Sequence, residues 1–90
     1  MAKDIPLKDC RIVVLQRGWV VVGEYEEHGD RFVIKRAKNI RRWGTTQGLG
    51  ELVNGPLPDT VLDMAGTVKG HVLGCVMTFD ANPEKWQAHL

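Results

Sequence analysis

Residues 19–36 read WVVVGEYEEHGDRFVIKR. β-Branched and aromatic residues, which favour strands, lie on both sides of His28-Gly29-Asp30, a stretch of the residue types that tight turns require. The pattern therefore predicts a β-hairpin, with one strand at 19–26 and the next at 31–36. In the strand at 31–36, Phe32 and Ile34 fall on one face, because successive side chains of a strand point to opposite sides.

Further strands are predicted on both sides of this hairpin, from short β-branched or alternating runs bounded by turn residues. These additional strands lie at 9–15, 37–43 (after a bend), 60–63 and 72–80. Arg17-Gly18 is a turn signal between the first two strands, and turns or bulges are expected at 65–67 and 69–70.

One short helix is predicted over residues 45–56. Leu49 and Leu52 have helical spacing, and Asn54-Gly55-Pro56 is a typical helix stop. The fold class is therefore mainly β: a small, bent barrel of the SH3 or Sm-like kind, with five or six strands and one short helix.

Three segments are expected along the chain. Residues 1–8 form an N-terminal extension, residues 9–81 form the barrel domain, and residues 82–90 form a C-terminal tail in which Asn82 caps one helical turn.

Composition narrows the function classes. The chain has 90 residues, 43% of them hydrophobic, which is typical of a single globular domain. A net charge of +1 makes a protein that coats duplex nucleic acid unlikely.

The longest apolar runs have four residues and no signal-peptide pattern is present, so no membrane contact is expected. Cys10 and Cys75 are expected to be reduced.

The candidate ligand site lies in a basic run. Five of the twelve Lys and Arg residues fall within residues 35–42, which lead into an aromatic and Gly-rich stretch. Guanidinium groups bind phosphate, an indole stacks on a base, and hydroxyls complete the hydrogen bonding. The predicted ligand-binding residues are Lys38, Arg41, Arg42, Trp43, Thr45 and Thr46. Two other interpretations remain open: a charged strand edge that prevents aggregation, and a surface for a protein partner.

Three aromatic residues are candidates for a subunit interface. Trp19 and Tyr25 share a face of the second strand, where core packing is the first interpretation and an interface the second. Trp86, near the C-terminus, is expected to pack on the barrel or on a neighbouring subunit, as a docking anchor rather than a catalytic group. The histidines have no zinc-ligand spacing and the chain contains no Ser, so no metal site, cofactor or catalytic residue is predicted, and the protein is expected not to be an enzyme.

The chain resembles a family of small tailed-phage and prophage proteins classed as a domain of unknown function. The resemblance spans roughly residues 10–80 and is carried by six short stretches: Gly23-Glu24-Tyr25, Gly29-Asp30, Val33-Ile34, Ala37, Ile40-Arg41-Arg42-Trp43-Gly44 and residues 49–52. Tyr25 stands where the family usually has Leu, and Lys38-Asn39 are inserted before the Arg pair. The resemblance implies an accessory role for a phage, in the host cytoplasm or in the virion.

Three functions follow from these observations. The first is capture of a nucleotide-type anion by a homo-oligomer with sites between subunits, such as sequestration of a host immune nucleotide signal. The second is a structural or assembly protein, or an adaptor that binds a host protein. The third is weak binding of single-stranded nucleic acid by the same basic and aromatic groups.

Overall fold

A computed structural model describes residues 7–90 of the chain, so most of the predicted N-terminal extension lies outside the described residues. Five strands form one antiparallel sheet in the order β4-β3-β2-β1-β5. The strands are β1 (Cys10–Leu15), β2 (Val20–His28), β3 (Arg31–Arg42), β4 (Val61–His71) and β5 (Cys75–Asp80). The prediction of a mainly β protein is confirmed.

The sheet is open. The strands β4 and β5 stand at its two edges, and within residues 7–90 they do not pair with each other. The hairpin that the sequence predicts is present: β2 and β3 join through Gly29 and Asp30, and His28 faces Arg31 across the turn. Gly29 has a φ of 66°, a conformation that glycine adopts without steric cost.

Two of the strands are longer than predicted. β3 runs through the bend expected after residue 36, which it absorbs as a bulge at Arg36 with a φ of 53°. β4 runs through 65–67 and 69–70, where turns or bulges were expected. A bulge is present at Gly66, which has a φ of 72° and lies at a register shift against β3, so this prediction is confirmed. The prediction at 69–70 is wrong, because Lys69 and Gly70 pair with β3 in regular register.

Both faces of the central strands are buried. Ile12 of β1 and Val22 of β2 belong to one core cluster, whereas their neighbours Val13 and Val21 belong to another. Alternate residues of one strand point to opposite faces, so each cluster covers one side of the sheet. The first cluster is completed by the C-terminal segment and the second by residues of β4 and β5, among them Val68 and Cys75.

The helical elements are short. The predicted helix at 45–56 is a 3-10 helix at Leu49–Asn54 that buries Leu49 and Leu52. Other 3-10 turns lie at Gln16–Gly18, Val72–Gly74 and Gln87–His89. The part of the chain that the structure describes has one α-helix, α1 (Pro83–Trp86). It begins after Asn82, whose side chain accepts a hydrogen bond from the Glu84 N–H at 3.0 Å. The cap expected at Asn82 is confirmed.

The C-terminal segment is part of the core. Trp86 is 0% exposed, and its indole N–H donates to the carbonyl of Leu52 at 2.8 Å. Leu90, the last residue, is also buried. The C-terminal segment therefore packs on the sheet through Trp86 and Leu90, and of the two alternatives for Trp86 the structure shows packing within the chain. Among residues 7–90, no helix is long and apolar enough to span a bilayer.

Candidate functional site

The basic run lies in the middle of the sheet. It occupies the second half of β3, which pairs with β2 on one side and β4 on the other. The interpretation as a charged guard of a strand edge is therefore wrong, since β3 is not an edge strand.

Most of the run is neutralised by carboxylates of the neighbouring strands. Three ion pairs join it to β2 and β4: Lys35–Glu26 at 2.9 Å, Arg36–Glu24 at 3.4 Å and Arg41–Asp63 at 2.8 Å. The hydrogen bond with Glu26 raises the pKa of Lys35, and the same bond lowers the pKa of Glu26. Cross-strand pairs of opposite charge stabilise a sheet, so these pairs help to hold β3 between β2 and β4.

The donors of Thr46 are engaged by a carboxylate of the same loop. The backbone N–H and the hydroxyl of Thr46 lie 3.0 Å and 3.4 Å from Oε2 of Glu51, and the N–H of Gln47 donates to the same oxygen. An internal carboxylate thus holds the position where a phosphate was expected. Thr45 lies beside this arrangement and is half-buried.

The backbone of Trp43 is fixed by a hydrogen bond, whereas its side chain is partly exposed. Its carbonyl accepts a hydrogen bond from the Thr60 hydroxyl at 2.7 Å, and its side chain is 41% exposed. The next residue, Gly44, has a φ of 68°, and a Cβ there would lie 2.5 Å from the backbone of Asp59. Close approach of two backbones explains this glycine, so it need not belong to a phosphate loop.

A different cavity brings a tryptophan and two arginines together. An open cavity of about 400 Å³, called here the Trp19 cavity, lies between the turn that follows β1 and the end of β3. Its lining residues are Arg17, Gly18, Trp19, Val20, Asn39, Ile40 and Arg41. Asn39 of β3 pairs with Val21 near the start of β2, and β3 continues past this pair. Ile40 and Arg41 of this continuation line the cavity together with the turn residues Arg17 and Gly18.

The turn beside the cavity has an unusual backbone. Arg17 has a φ of 68° and Gly18 a φ of 82°, so two consecutive residues adopt the left-handed region. That conformation is costly for a residue with a side chain, roughly 1–2 kcal/mol. It ends the 3-10 turn and leads into Trp19, whose side chain remains 60% exposed at the start of β2. An exposed tryptophan beside two arginines is a typical recognition surface.

Of the predicted ligand residues, one lies at this cavity. Arg41 lines it, whereas Lys38, Arg42, Trp43, Thr45 and Thr46 are not among its lining residues. The sequence did not single out Arg17 or Asn39 as candidate site residues, and it assigned Trp19 to the core or an interface. The signal was available, because Arg17-Gly18-Trp19 combines a guanidinium and an indole at a glycine turn, as the basic run does.

The three predicted interface aromatics have different environments. Tyr25 is 4% exposed, lies beneath the guanidinium of Arg11 at 4.5 Å, and donates its hydroxyl to Glu27 at 2.6 Å. Trp86 is fully buried within the chain, so neither of these side chains presents surface to a partner. Trp19 alone of the three is on the surface. Other exposed apolar side chains are Met64, Leu73, Val76 and Met77.

Within residues 7–90 no three His, Cys, Asp or Glu side chains are grouped as metal ligands. Cys10 and Cys75 are both unpaired thiols, as predicted. No family model matches the sequence, and no curated protein is significantly similar to it.

Proposed function

We propose that this protein is a non-enzymatic binding module that captures a nucleotide-type anion in the Trp19 cavity. The observation that carries the proposal is the position of an exposed indole, that of Trp19, beside Arg17 and Arg41 around one cavity. Its volume of about 400 Å³ falls in the range of small-molecule sites.

The lining residues supply three kinds of contact. The indole of Trp19 would stack on a planar base, as aromatic side chains do with nucleic-acid bases. The guanidinium groups of Arg17 and Arg41 would bind phosphate oxygens through paired N–H donors. Asn39 offers an amide donor and acceptor for a base edge or a ribose hydroxyl.

The resemblance to phage proteins suggests a biological use for such a site. A phage protein that binds a nucleotide without converting it would lower the concentration of a signal of the host's immune system. Such a role requires only binding and no catalytic group. It would be carried out in the host cytoplasm, where the ligand is produced.

We also propose that the sheet is bent enough to approach a small barrel of the SH3 or Sm-like kind. Val68 of one edge strand and Cys75 of the other pack against the same core cluster. Every described member of this cluster lies on a strand, yet Val13 and Ile34 are 0% exposed, and a sheet that curls over that face would cover them.

Tryptophan fluorescence tests the proposed site. Titration with ATP, with cyclic and linear dinucleotides and with adenosine should show quenching for the phosphorylated compounds only. Trp19→Phe should abolish the quenching, whereas Trp43→Phe, which removes a second exposed indole outside the cavity, should retain it. Arg17→Asn removes one guanidinium, and Asn tolerates the left-handed backbone there, so the fold should be preserved.

The proposal would be contradicted by quenching that depends on Trp43 and not on Trp19. It would also fail if Arg17→Asn bound every nucleotide as tightly as the unmodified protein. Because Trp86 is buried, its fluorescence reports the folded state and serves as an internal control.

A structural or adaptor protein is the second candidate. The observation that favours it is the exposure of large apolar side chains, since Met64 is 82% and Leu73 78% exposed. Mass spectrometry of purified phage particles tests a virion component, which should be present in stoichiometric amount. Single-stranded nucleic acid is a third candidate, less favoured because three of the five basic residues in the run are paired with carboxylates.

A further inference from the structure

A histidine joins two turns at one end of the sheet. His71 is the last residue of β4 and lies opposite Arg31, the first residue of β3. Its Nδ1 lies 3.0 Å from the backbone nitrogen of Leu73, in the 3-10 turn Val72–Gly74. Its Nε2 lies 3.2 Å from a carboxylate oxygen of Asp30, in the β2–β3 turn. The ring therefore connects the turn that leads into β5 with the central hairpin.

The two contacts fix which ring nitrogen carries the hydrogen. A backbone N–H can only donate, so Nδ1 of His71 must be unprotonated to accept the bond from Leu73. An ionised carboxylate can only accept, so Nε2 must carry the hydrogen that faces Asp30. The ring is therefore neutral, with its hydrogen on Nε2, whenever both contacts are present.

We propose that His71 is a pH-sensitive switch, which holds the Leu73 N–H while the ring is neutral and releases it when the ring is protonated. Imidazole is the side chain that ordinarily changes its charge between about pH 5 and pH 8. Protonation adds a hydrogen to Nδ1, which then faces the N–H of Leu73 as a second donor. Nε2 is a donor in both states, so the contact with Asp30 is retained. The change is therefore confined to the bond that caps the Val72–Gly74 turn.

The charged groups around His71 do not replace the lost bond. β4 is an edge strand, so its charged neighbours come from β3, from the β2–β3 turn and from its own chain segment, and residues 72–79 contain no charged side chain. Asp30 faces Nε2, and its other oxygen lies 3.9 Å from Nε of Arg31. Arg31 and Lys69, the latter two residues earlier on the same face of β4, are cations. Neither of them offers an acceptor to Leu73.

The segment that would be released is an exposed turn. Leu73 is 78% exposed, and few contacts oppose local opening of such a segment. Two bonds there do not involve the ring. The N–H of Val72 donates to the Asp30 carbonyl at 2.8 Å, and the side chain of Gln16 donates to the Leu73 carbonyl at 3.3 Å. Protonation would therefore loosen the backbone at Leu73 without detaching β4 from the hairpin.

NMR of the full chain between about pH 8 and pH 5 tests this inference, which does not depend on the nucleotide proposal. At the alkaline end the ring-nitrogen shifts of His71 should show an unprotonated Nδ1 and a protonated Nε2. As the pH falls, the amide shift of Leu73 should change with the same midpoint as the His71 ring. The hydrogen-exchange protection of Leu73, corrected for the intrinsic exchange rate at each pH, should fall about three- to tenfold, the equilibrium contribution of one hydrogen bond.

His71→Asn identifies the group responsible. An Asn oxygen can accept the Leu73 N–H and does not titrate, so the fold should be kept and the pH response of Leu73 should be lost. His28→Asn, the matched control, removes an exposed histidine of the same hairpin whose Nε2 pairs with Glu26, and it should leave the response unchanged. Asp30→Asn should also retain the response, because the titrating group is the ring.

A hydrogen on Nδ1 of His71 at the alkaline end would overturn the inference. So would a response of Leu73 that persists in His71→Asn, or one that disappears in His28→Asn or in Asp30→Asn. Circular dichroism would verify that each variant is folded. If His71→Asn is not folded, the ring-nitrogen shifts of the unmodified protein decide the question.

Discussion

The guanidinium of Arg41 and the carboxylate of Asp63 form an ion pair, with Nε 2.8 Å from Oδ2. Both side chains are substantially exposed, at 66% and 43%. Asp63 is therefore an internal competitor for the arginine that we assign to the Trp19 cavity.

Asp63→Asn should strengthen anion binding, because it removes this competing charge and keeps the shape of the side chain. Exposed ion pairs contribute about 0–1 kcal/mol, so an affinity gain of up to about fivefold is expected, with a loss of stability below about 1 kcal/mol. Nucleotide titration by fluorescence or calorimetry measures it. Asp30→Asn, which changes a carboxylate near Arg31 and His71 at the β2–β3 turn, should leave affinity unchanged. A weaker or unchanged affinity of Asp63→Asn would argue against Arg41 as a ligand residue.

Gly70→Ala should destabilise the protein. Gly70 pairs with Phe32 across β3 and β4, and a Cβ at residue 70 would lie 2.6 Å from Cζ of the Phe32 ring. Overpacking of this kind costs roughly 1–3 kcal/mol. Gly50→Ala is the matched control, since a Cβ at residue 50 meets nothing within 4 Å. Urea unfolding should give a lower midpoint for Gly70→Ala only, and equal midpoints would show that the ring moves aside freely.

Trp86→Phe should also destabilise the protein. The change removes the indole N–H that donates to the Leu52 carbonyl at 2.8 Å, and that carbonyl keeps only the hydrogen bond from the Gly55 N–H at 3.1 Å. The expected cost is about 0.5–1.5 kcal/mol from the hydrogen bond, with a further loss from reduced packing. Trp43→Phe, at a half-exposed position, should change the free energy of unfolding far less. If both variants unfold at the same urea concentration, the C-terminal segment does not hold the core as described.

Stability should fall as the pH rises above 9. Burial raises the pKa of the Cys10 thiol from its ordinary value of 9.0 to about 12. Burial and the hydrogen bond to Glu27 raise the pKa of Tyr25 from 10.0 to about 12. Because both folded-state values lie above the unfolded ones, the neutral forms stabilise the fold. This contribution is complete below pH 9 and is lost progressively toward pH 12.

Urea unfolding at a series of pH values measures the loss, and Cys10→Ala should reduce its slope. Thiol labelling gives an independent check: half-buried Cys75 should react first, and Cys10, at 3% exposed, only through opening of the fold. Faster labelling of Cys10 in the Cys75→Ala variant than of Cys75 in Cys10→Ala would contradict the assigned burial.

The sequence predicted the central hairpin well because its determinants are local. A Gly-Asp turn between two β-branched runs specifies β2 and β3, and Phe32 and Ile34 are buried together as their alternation predicts. The sequence was less decisive where glycine is compatible with both a turn and a bulge. Gly66 was expected in a turn or a bulge and lies in a bulge within β4, because only the pairing of the two long strands decides between these.

The site could be predicted only in part. The combination of arginine, tryptophan and glycine was recognised at residues 41–44, where the close approach of two backbones explains Gly44 and only Arg41 lines the Trp19 cavity. The donors of Thr46 were expected to bind a phosphate and instead bind Glu51, five residues along the chain. The Glu51 carboxylate, which is close in sequence, competes with any external anion for the donors of Thr46. Whether it reaches them depends on the conformation of the loop between the two residues.

The sequence by itself determined the β class, the hairpin, the Asn82 cap and the two free thiols, since each depends on neighbouring residues or on composition. Only the tertiary structure decided that β3 is central, that Glu24, Glu26 and Asp63 neutralise its basic run, and that Trp86 completes the core. It also brought Arg17 and Trp19 to Arg41. These are contacts between residues distant in the chain, and strand order and register fix them.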